Sequence, residues 1–277
     1  MWKFPSLETI QSVVITGGSS GIGATYIRTM RNLGHIGFIG NLSRSEPDRF
    51  SQDSRCQHYP CDLSDGDALE AAAGDLIRDL ETRTTGPILL INNSGFGSYG
   101  RFDQLSRDVE CNMVNLNVRA VVDLTARLLP LLLARGGWIL NIASVAGWQP
   151  TPFMATYGAS KAFILHWSLS LREDLHGRGV GVLAVCPGPT ESQFFRRAGF
   201  SDSVLPGQGQ TADEVVDASL AALRRGRSFV VTGWRNRLLV MASTRLPRAW
   251  QGPLARVVLQ RFRLDRLKKS AENRADG

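Results

Sequence analysis

Short apolar runs rich in β-branched residues alternate along the chain with longer segments that have helical patterning. The run Ser12–Ile15 is typical of a strand buried on both faces of a parallel sheet. The predicted strands cover 12–16, 35–41, 56–60, 87–92, 137–143, 180–186 and 228–232. The predicted helices cover 21–33, 64–81, 103–117, 118–135, 155–176 and 211–224, with Pro130 expected to kink or shorten the fourth. This alternation predicts an α/β fold with a doubly wound parallel sheet of about seven strands.

A glycine-rich turn, Thr16–Gly23, follows the first predicted strand and precedes a predicted helix. Glycine can adopt positive φ and approach a ligand closely, and a helix N-terminus offers free N–H groups to an anion. Strand, glycine turn and helix in this order are typical of a dinucleotide site in a Rossmann-type fold. For the glycines taken alone, an ordinary loop is the alternative.

The segment Tyr157–Lys161 places a tyrosine and a lysine four residues apart, on one face of a predicted helix. A lysine ammonium beside a phenol favours the phenolate and is expected to lower the tyrosine pKa. A serine hydroxyl such as that of Ser144 can hold a carbonyl or alcohol oxygen. Together these groups can move a proton to or from that oxygen. Alone, the tyrosine–lysine pair is equally compatible with an exposed helix face.

Composition favours one large domain without a metal. The chain has 277 residues and is 43% hydrophobic. Its four cysteines have neither metal-ligand spacing nor the pattern of a disulfide framework, so a reducing cytoplasm is expected. No apolar run is long enough to predict a membrane-spanning helix.

These segments, in this order and at this spacing, resemble the single-domain members of the short-chain dehydrogenase/reductase family. The matching segments span about 12–232 and are Thr16–Gly23, Cys61–Leu63, Asn92–Gly95, Asn117, Ile142–Ser144, Tyr157–Lys161 and Pro187–Thr190. The resemblance implies a Rossmann-type dinucleotide-binding and catalytic domain over 1–232, with 233–277 as a C-terminal extension. It also implies an oxidoreductase that interconverts a ketone and a secondary alcohol.

Four catalytic residues follow from the resemblance. Tyr157 would be the general acid in ketone reduction and the base in alcohol oxidation, while Ser144 would orient the substrate oxygen. Lys161 would lower the tyrosine pKa and hold the nicotinamide ribose. Asn117 would hold a water that links Lys161 to a proton relay.

The same resemblance assigns the cofactor site. Its residues are Gly17, Ser19, Ser20, Gly21, Ile22, Gly23, Ser43, Arg44, Ser45, Asp62, Leu63, Asn93, Ser94, Gly95, Tyr157, Lys161, Pro187, Gly188 and Thr190. Asp62 would bind the adenine amino group, residues 93–95 would pass under the adenosine ribose, and residues 187–190 would border the nicotinamide. Ser94 stands where the family more often has alanine, so its hydroxyl must find a partner.

The end of the second predicted strand favours NADP(H) over NAD(H). A carboxylate there would bind the ribose 2′-hydroxyl and repel a 2′-phosphate, and none occurs before Glu46. Ser43, Arg44 and Ser45 offer hydroxyls and a guanidinium, which suit a phosphate. A solvated turn with an incidental arginine is the alternative.

Large apolar residues around the catalytic segments, most of them aromatic, favour a bulky, apolar ketone or alcohol. They are Phe96, Tyr99, Trp148, Phe153, Met154 and, in a lid expected at 190–210, Phe194, Phe195 and Phe200. Core or subunit-contact aromatics, and a plain surface loop for 190–210, are the alternatives. The helices 103–135 and 155–176 match those that pair across subunits in the family, which implies a homodimer or homotetramer.

The extension 233–277 is basic, with eleven Lys/Arg against three Asp/Glu. Because the whole chain carries +7, residues 1–232 are close to neutral. Its apolar residues predict short amphipathic helices broken at Pro247 and Pro253. Peripheral contact with an anionic membrane, packing over the substrate mouth or a partner subunit, and a solvated tail all remain open. No motif supports nucleic-acid binding.

Three functions stay open at the level of sequence. The first is an NADP(H)-dependent ketone reductase or alcohol dehydrogenase. The second is a cofactor-binding sensor or scaffold without redox chemistry, against which the intact Asn117, Ser144, Tyr157 and Lys161 set argues. The third is an enzyme of the same fold that reduces C=C bonds or isomerises.

Overall fold

The computed structural model describes residues 4–190 and 209–257. The described strands are β1 (Ser12–Thr16), β2 (Phe38–Ser43), β3 (Cys56–Pro60), β4 (Ile88–Asn92), β5 (Gly137–Ile142), β6 (Val180–Cys186) and β7 (Phe229–Val231). They form one parallel sheet in the order β3-β2-β1-β4-β5-β6-β7. The predicted doubly wound fold is therefore confirmed. The strand order reverses between β1 and β4, which is where sheets of this kind bind ligands.

Helices cover both faces of the sheet. They are α1 (Gly21–Arg31), α2 (Gly66–Arg83), α3 (Arg107–Val114), α4 (Ala120–Arg135), α5 (Ala155–Asp174), α6 (Ala212–Arg224) and α7 (Trp234–Arg245). Residues 248–257 form the described part of a last helix, α8.

The core has two main layers, one on each face of the sheet. Residues of α1 and α6 pack with Val13 and Ile15 of β1 on one face. Residues of α2 and α4 pack with Val14 of β1 and Leu90 of β4 on the other. Strands β1, β4, β5 and β6 are buried along their whole length, as their continuous apolar sequence predicts.

The two helices predicted over 103–135 are one continuous helical run in the structure. A π-helical turn, Asn115–Arg119, joins α3 to α4 without a break, and α4 continues past Pro130 to Arg135. The predicted boundary at 117–118 is therefore wrong. A π-turn inserts one extra residue into a helix and is frequent at functional sites.

The second strand lies later in the chain than predicted. It begins at Phe38 and ends at Ser43, because Phe38 pairs in register with Ser12 of β1. Ser43 is consequently a buried strand residue, whereas the sequence places it in a loop after the strand.

The described part of the C-terminal extension is helical. Pro247 separates α7 from α8 as predicted, but α8 runs through Pro253, so the second predicted break is wrong. None of the helices in the described ranges is both long and apolar enough to cross a bilayer. The lid expected at 190–210, with Phe194, Phe195 and Phe200, lies outside the described residues apart from 190, 209 and 210.

Candidate active site

One cavity of about 1030 Å³ opens at the carboxyl ends of the strands. Every cofactor-binding residue predicted from the sequence lines it except Gly23. Of the predicted catalytic residues, Ser144, Tyr157 and Lys161 line it, and Asn117 lies behind its wall. The fold thus brings segments that are far apart in sequence to a single site.

The glycine-rich turn has a backbone that other residues would not fit. Gly17 and Gly21 have positive φ angles of 71° and 55°. A Cβ at Gly23 would lie 2.2 Å from the carbonyl oxygen of Gly17, so only glycine allows α1 to approach the turn. No side chain caps the N-terminus of α1 at Ser20, and its free amides point to where a pyrophosphate would bind.

Two asparagines hold this turn in place. The Gly18 amide donates to Asn41 Oδ1 at 2.9 Å. The Asn93 amide group donates to the carbonyls of Thr16 (3.0 Å) and Gly17 (3.1 Å). The side chain of Asn93 therefore supports the turn, although the resemblance placed it under the ribose. Sequence reasoning missed Asn41, whose only signal is a polar residue in a buried strand.

The residues expected to meet a 2′-phosphate lie at and just after the end of β2. Ser43 accepts from Asn41 (2.9 Å) and donates to the Ser45 carbonyl (2.7 Å), so its hydroxyl is occupied within the protein. Arg44 and Ser45 are exposed at the rim of the cavity. Ser43 thus shapes the turn, while Arg44 and Ser45 are the groups placed to meet a phosphate.

Asp62 and Leu63 line the cavity, and their contact with an adenine stays a prediction. Hydrogen bonds from the Ser64 hydroxyl and amide hold the Asp62 carboxylate and lower its pKa. Arg119 donates to the Ser64 carbonyl at 2.9 Å and fixes this loop from the π-turn. No pattern in the sequence indicated that role for Arg119.

Tyr157 and Lys161 lie one turn apart on α5, as their spacing predicts, and both are buried. The Lys161 ammonium is 5.9 Å from the centre of the Tyr157 ring and donates to the Ile142 carbonyl at 2.8 Å. Ser144, at the end of β5, is hydrogen-bonded to Tyr157 and accepts from the Ala146 amide at 3.1 Å. A phenol, a hydroxyl and an ammonium therefore converge on the cavity.

Burial is the largest influence on the pKa values of Tyr157 and Lys161. It raises the pKa of Tyr157 to about 12, although the hydrogen bond with Ser144 lowers that pKa in part. It lowers the pKa of Lys161 to about 8, since a buried ammonium loses its hydration. The shift at Tyr157 is opposite to the lowering expected from its spacing to Lys161.

Asn117 lies in the π-turn and bonds to the loop that follows β4. Its Oδ1 accepts from the Phe96 amide (3.1 Å), and its Nδ2 donates to the Phe96 carbonyl (2.9 Å) and to Ser160 Oγ (3.1 Å). A Cβ at Gly95 would lie 3.0 Å from Oδ1 and 3.3 Å from Lys161 Nζ. Asn117 thus links the loop that follows β4 to α5. Its role in holding a water remains a prediction.

The predicted aromatic pocket is only partly where it was expected. Phe96 and Met154 line the cavity. Trp148 instead packs against Phe229, with ring centres 5.4 Å apart, and Tyr99 packs against Phe153 at 5.9 Å. Those aromatics stabilise the walls, which was the alternative that the sequence left open.

The C-terminal helices supply the rest of the wall. The cavity is also lined by residues that the sequence analysis did not assign to the pocket. They belong to α3, α7 and α8 or directly follow α7, and they include Val109, Asn112, Leu239, Ser243, Leu246 and Leu254. The spacing of Leu239 and Ser243 on α7, with Leu246 directly after its last residue, was the available signal. The described part of the extension therefore packs over the cavity, which was one of three expectations for it.

The segment after β6, Pro187–Thr190, lines the cavity, and its place beside the nicotinamide stays a prediction. The Pro187 carbonyl accepts from the Val145 amide at 3.0 Å, and Thr190 Oγ1 donates to the Gly188 carbonyl at 3.0 Å. The site as a whole fits a dinucleotide, because it combines a glycine-rich turn, a helix N-terminus without a side-chain cap and an arginine at its rim.

Comparisons with known proteins agree with this geometry. Residues 11–200 match the short chain dehydrogenase family. A serine 3-dehydrogenase from Agrobacterium fabrum is 32% identical over 218 residues, which cover 74% of this chain and 85% of that protein.

Solved structures share the fold. A short-chain dehydrogenase from Sphingobium yanoikuyae in complex with NADPH is 31% identical, with a TM-score of 0.73, covering 85% of this chain and 93% of its own. A bulky-bulky ketone specific alcohol dehydrogenase from Comamonas testosteroni is 28% identical, with a TM-score of 0.68, covering 87% and 96%. From its fold, its site and these matches, this chain belongs to the short-chain dehydrogenase family of oxidoreductases.

Proposed function

We propose that this protein uses NADP(H) to reduce a bulky ketone to a secondary alcohol, or catalyses the reverse oxidation. The observation that carries the proposal is the convergence of Ser144, Tyr157 and Lys161 on the cavity that the glycine-rich turn borders. The nicotinamide, when bound, supplies or accepts the hydride. The residues of the chain bind the dinucleotide and the substrate, orient the reacting oxygen, and move a proton to or from it.

Tyr157 is the proton donor in the reductive direction. With a pKa of about 12 it stays protonated near neutral pH and can donate to a carbonyl oxygen as negative charge develops there. Ser144 Oγ, hydrogen-bonded to the phenol, is placed to orient the same oxygen. Lys161 uses one ammonium donor on the Ile142 carbonyl and has two further donors available for ribose hydroxyls.

NADP(H) is preferred because of the charge at the end of β2. Arg44 provides a fixed cation at the rim, and no carboxylate occurs between Phe38 and Ser45 to repel a 2′-phosphate. The NADPH complex of the Sphingobium relative supports this choice.

A bulky, apolar substrate fits the size and lining of the site. The cavity, at about 1030 Å³, is at the upper end of the range typical of ligand sites, and it has to hold both the dinucleotide and the substrate. Phe96, Leu116, Met154 and Leu239 form apolar parts of its wall. The Comamonas relative, specific for bulky-bulky ketones, supports this substrate class.

A homo-oligomer is part of the proposal. Val114 of α3 and Phe163 of α5 are 44% and 43% exposed, on the helices expected to pair across subunits. Burying such side chains against a second copy would remove apolar surface from water.

NADPH consumption against ketones graded from small to bulky tests the function. We expect turnover that rises with ketone size and is nearly lost in Tyr157→Phe, while NADPH binding survives in that variant. Tight NADPH binding without turnover of any ketone would contradict the proposal and favour a cofactor sensor.

A further inference from the structure

Helix α7 exposes a stripe of large apolar side chains. Trp234, Leu238 and Met241, at positions i, i+4 and i+7, are 67%, 55% and 48% exposed. These spacings place the three residues on one face of the helix. Contiguous exposed apolar surface of this kind marks an interaction site more often than a scattered single residue does.

Helix α8 repeats the same arrangement. Trp250, Leu254 and Val257 again follow the spacing i, i+4 and i+7, and they are 64%, 44% and 59% exposed. Each stripe therefore begins with a tryptophan. Tryptophan is the side chain best suited to a boundary between apolar and polar media, because its ring is apolar and its N–H is polar.

The charges around both stripes have one sign. Residues 233–257 contain five arginines, Arg235, Arg237, Arg245, Arg248 and Arg256, and neither Asp nor Glu. None of the five forms an ion pair with a carboxylate of the described residues. The Arg235 guanidinium lies 5.3 Å from the centre of the Trp234 ring, so cation and apolar stripe are contiguous.

We propose that α7 and α8 dock this surface, the stripes Trp234-Leu238-Met241 and Trp250-Leu254-Val257 with their arginines, on an anionic lipid bilayer. The helices lie in the plane of the interface, with the apolar side chains below the headgroups and the arginines at the phosphates. A second copy of this chain fits less well. A two-fold interface would place each arginine-rich patch against itself without a carboxylate to pair with.

These helices also line the catalytic cavity. Leu239 of α7 and Leu246, which directly follows α7, belong to its wall, and Leu254 belongs to both the wall and the second stripe. Docking therefore brings the cavity next to the bilayer. This step rests on the proposed function: the substrate class is then a lipid-dissolved ketone or alcohol that enters from the membrane.

Vesicle flotation of the full chain tests docking without reference to turnover. We expect binding to vesicles of mixed phosphatidylcholine and phosphatidylglycerol, weak binding to phosphatidylcholine alone, and weakening by salt. Leu238→Gln combined with Val257→Gln should reduce the affinity at least about tenfold. Phe102→Gln, which removes a comparably exposed apolar side chain before α3, should leave it unchanged.

The arginines are tested in the same assay. Arg245→Gln with Arg248→Gln should weaken binding to the anionic vesicles, while the charge-matched pair Arg107→Gln with Arg178→Gln should not. NADPH binding, measured in every variant, verifies folding. The proposal is overturned if the wild type does not float with anionic vesicles, or if the Leu238/Val257 variant lowers the oligomeric mass while vesicle binding is unchanged.

Substrate delivery is tested separately. A ketone confined to anionic vesicles should be reduced more slowly by the Leu238/Val257 variant than by the wild type, while a water-soluble ketone is reduced equally by both. If the variant and the wild type reduce each ketone at equal rates, delivery from the membrane is overturned but docking is not. If the wild type reduces neither ketone, the result counts against the proposed function alone.

Discussion

The side chain of Asn236 lies directly against the backbone of Gly188, where a Cβ would stand 2.2 Å from Nδ2. Asn236 belongs to α7 and donates to the Thr232 carbonyl at 2.8 Å, whereas Gly188 lies in the segment after β6 that lines the cavity. The C-terminal helix and the cofactor site are therefore in contact, and a change in one should be measurable in the other.

Gly188→Ala should destabilise the protein by about 1–3 kcal/mol, because the added methyl overpacks this contact. Asn236→Ala, introduced together with it, should restore part of that loss by removing the obstructing amide. Urea unfolding of the wild type, both single variants and the double variant gives the coupling free energy between positions 188 and 236. Additive effects of the two substitutions would show that the contact does not limit position 188.

Ser144→Ala should lower kcat by about 10²-fold or more while the affinity for NADPH stays the same. The hydroxyl bonds to Tyr157 and faces the cavity, so its loss affects the reacting oxygen and not the dinucleotide. Ser144→Thr keeps a hydroxyl and should retain more activity than Ser144→Ala. Steady-state kinetics and NADPH titration separate the two effects, and equal weakening of cofactor binding would contradict the assigned role.

Arg44→Ala should weaken NADPH binding about 10- to 100-fold and leave NADH binding nearly unchanged, since only NADPH carries the 2′-phosphate. Arg107→Ala, at an exposed arginine remote from the cavity lining, is the matched control. Dissociation constants for both dinucleotides provide the measurement. A similar loss for NADH would show that Arg44 does not read the phosphate.

Lys161 should make the stability of the protein depend on pH. Its pKa is about 8 in the folded protein against an ordinary value of 10.5, so between these two pH values the unfolded chain binds more protons. The burial penalty is complete below about pH 8 and is relieved as the pH rises toward 10.5, a gain of about 3 kcal/mol at most.

Urea unfolding of the wild type and of Lys161→Met across this range measures that contribution. The wild type should gain stability relative to the variant as the pH rises from 8 toward 10.5, because only the wild type carries the titrating group. A constant difference between the two proteins would mean that Lys161 is not desolvated as its burial indicates.

Local patterns in the sequence were enough to establish the fold class and the residue types of the site. Continuous apolar strands such as Val13–Ile15, positive-φ glycines at Gly17 and Gly21, and the four-residue spacing of Tyr157 and Lys161 are local patterns. Local backbone and periodicity rules translate such patterns into elements and faces without knowledge of distant contacts.

The contacts and ionisation of those residues depend on the tertiary structure. Asn93 supports the glycine turn, Ser43 is occupied by its neighbours, and burial raises the pKa of Tyr157 where spacing alone predicted a fall. The C-terminal helices close the cavity with one face and expose a second apolar face. Hydrogen-bond partners, desolvation and cavity walls depend on residues brought together from distant parts of the chain, which no local pattern encodes.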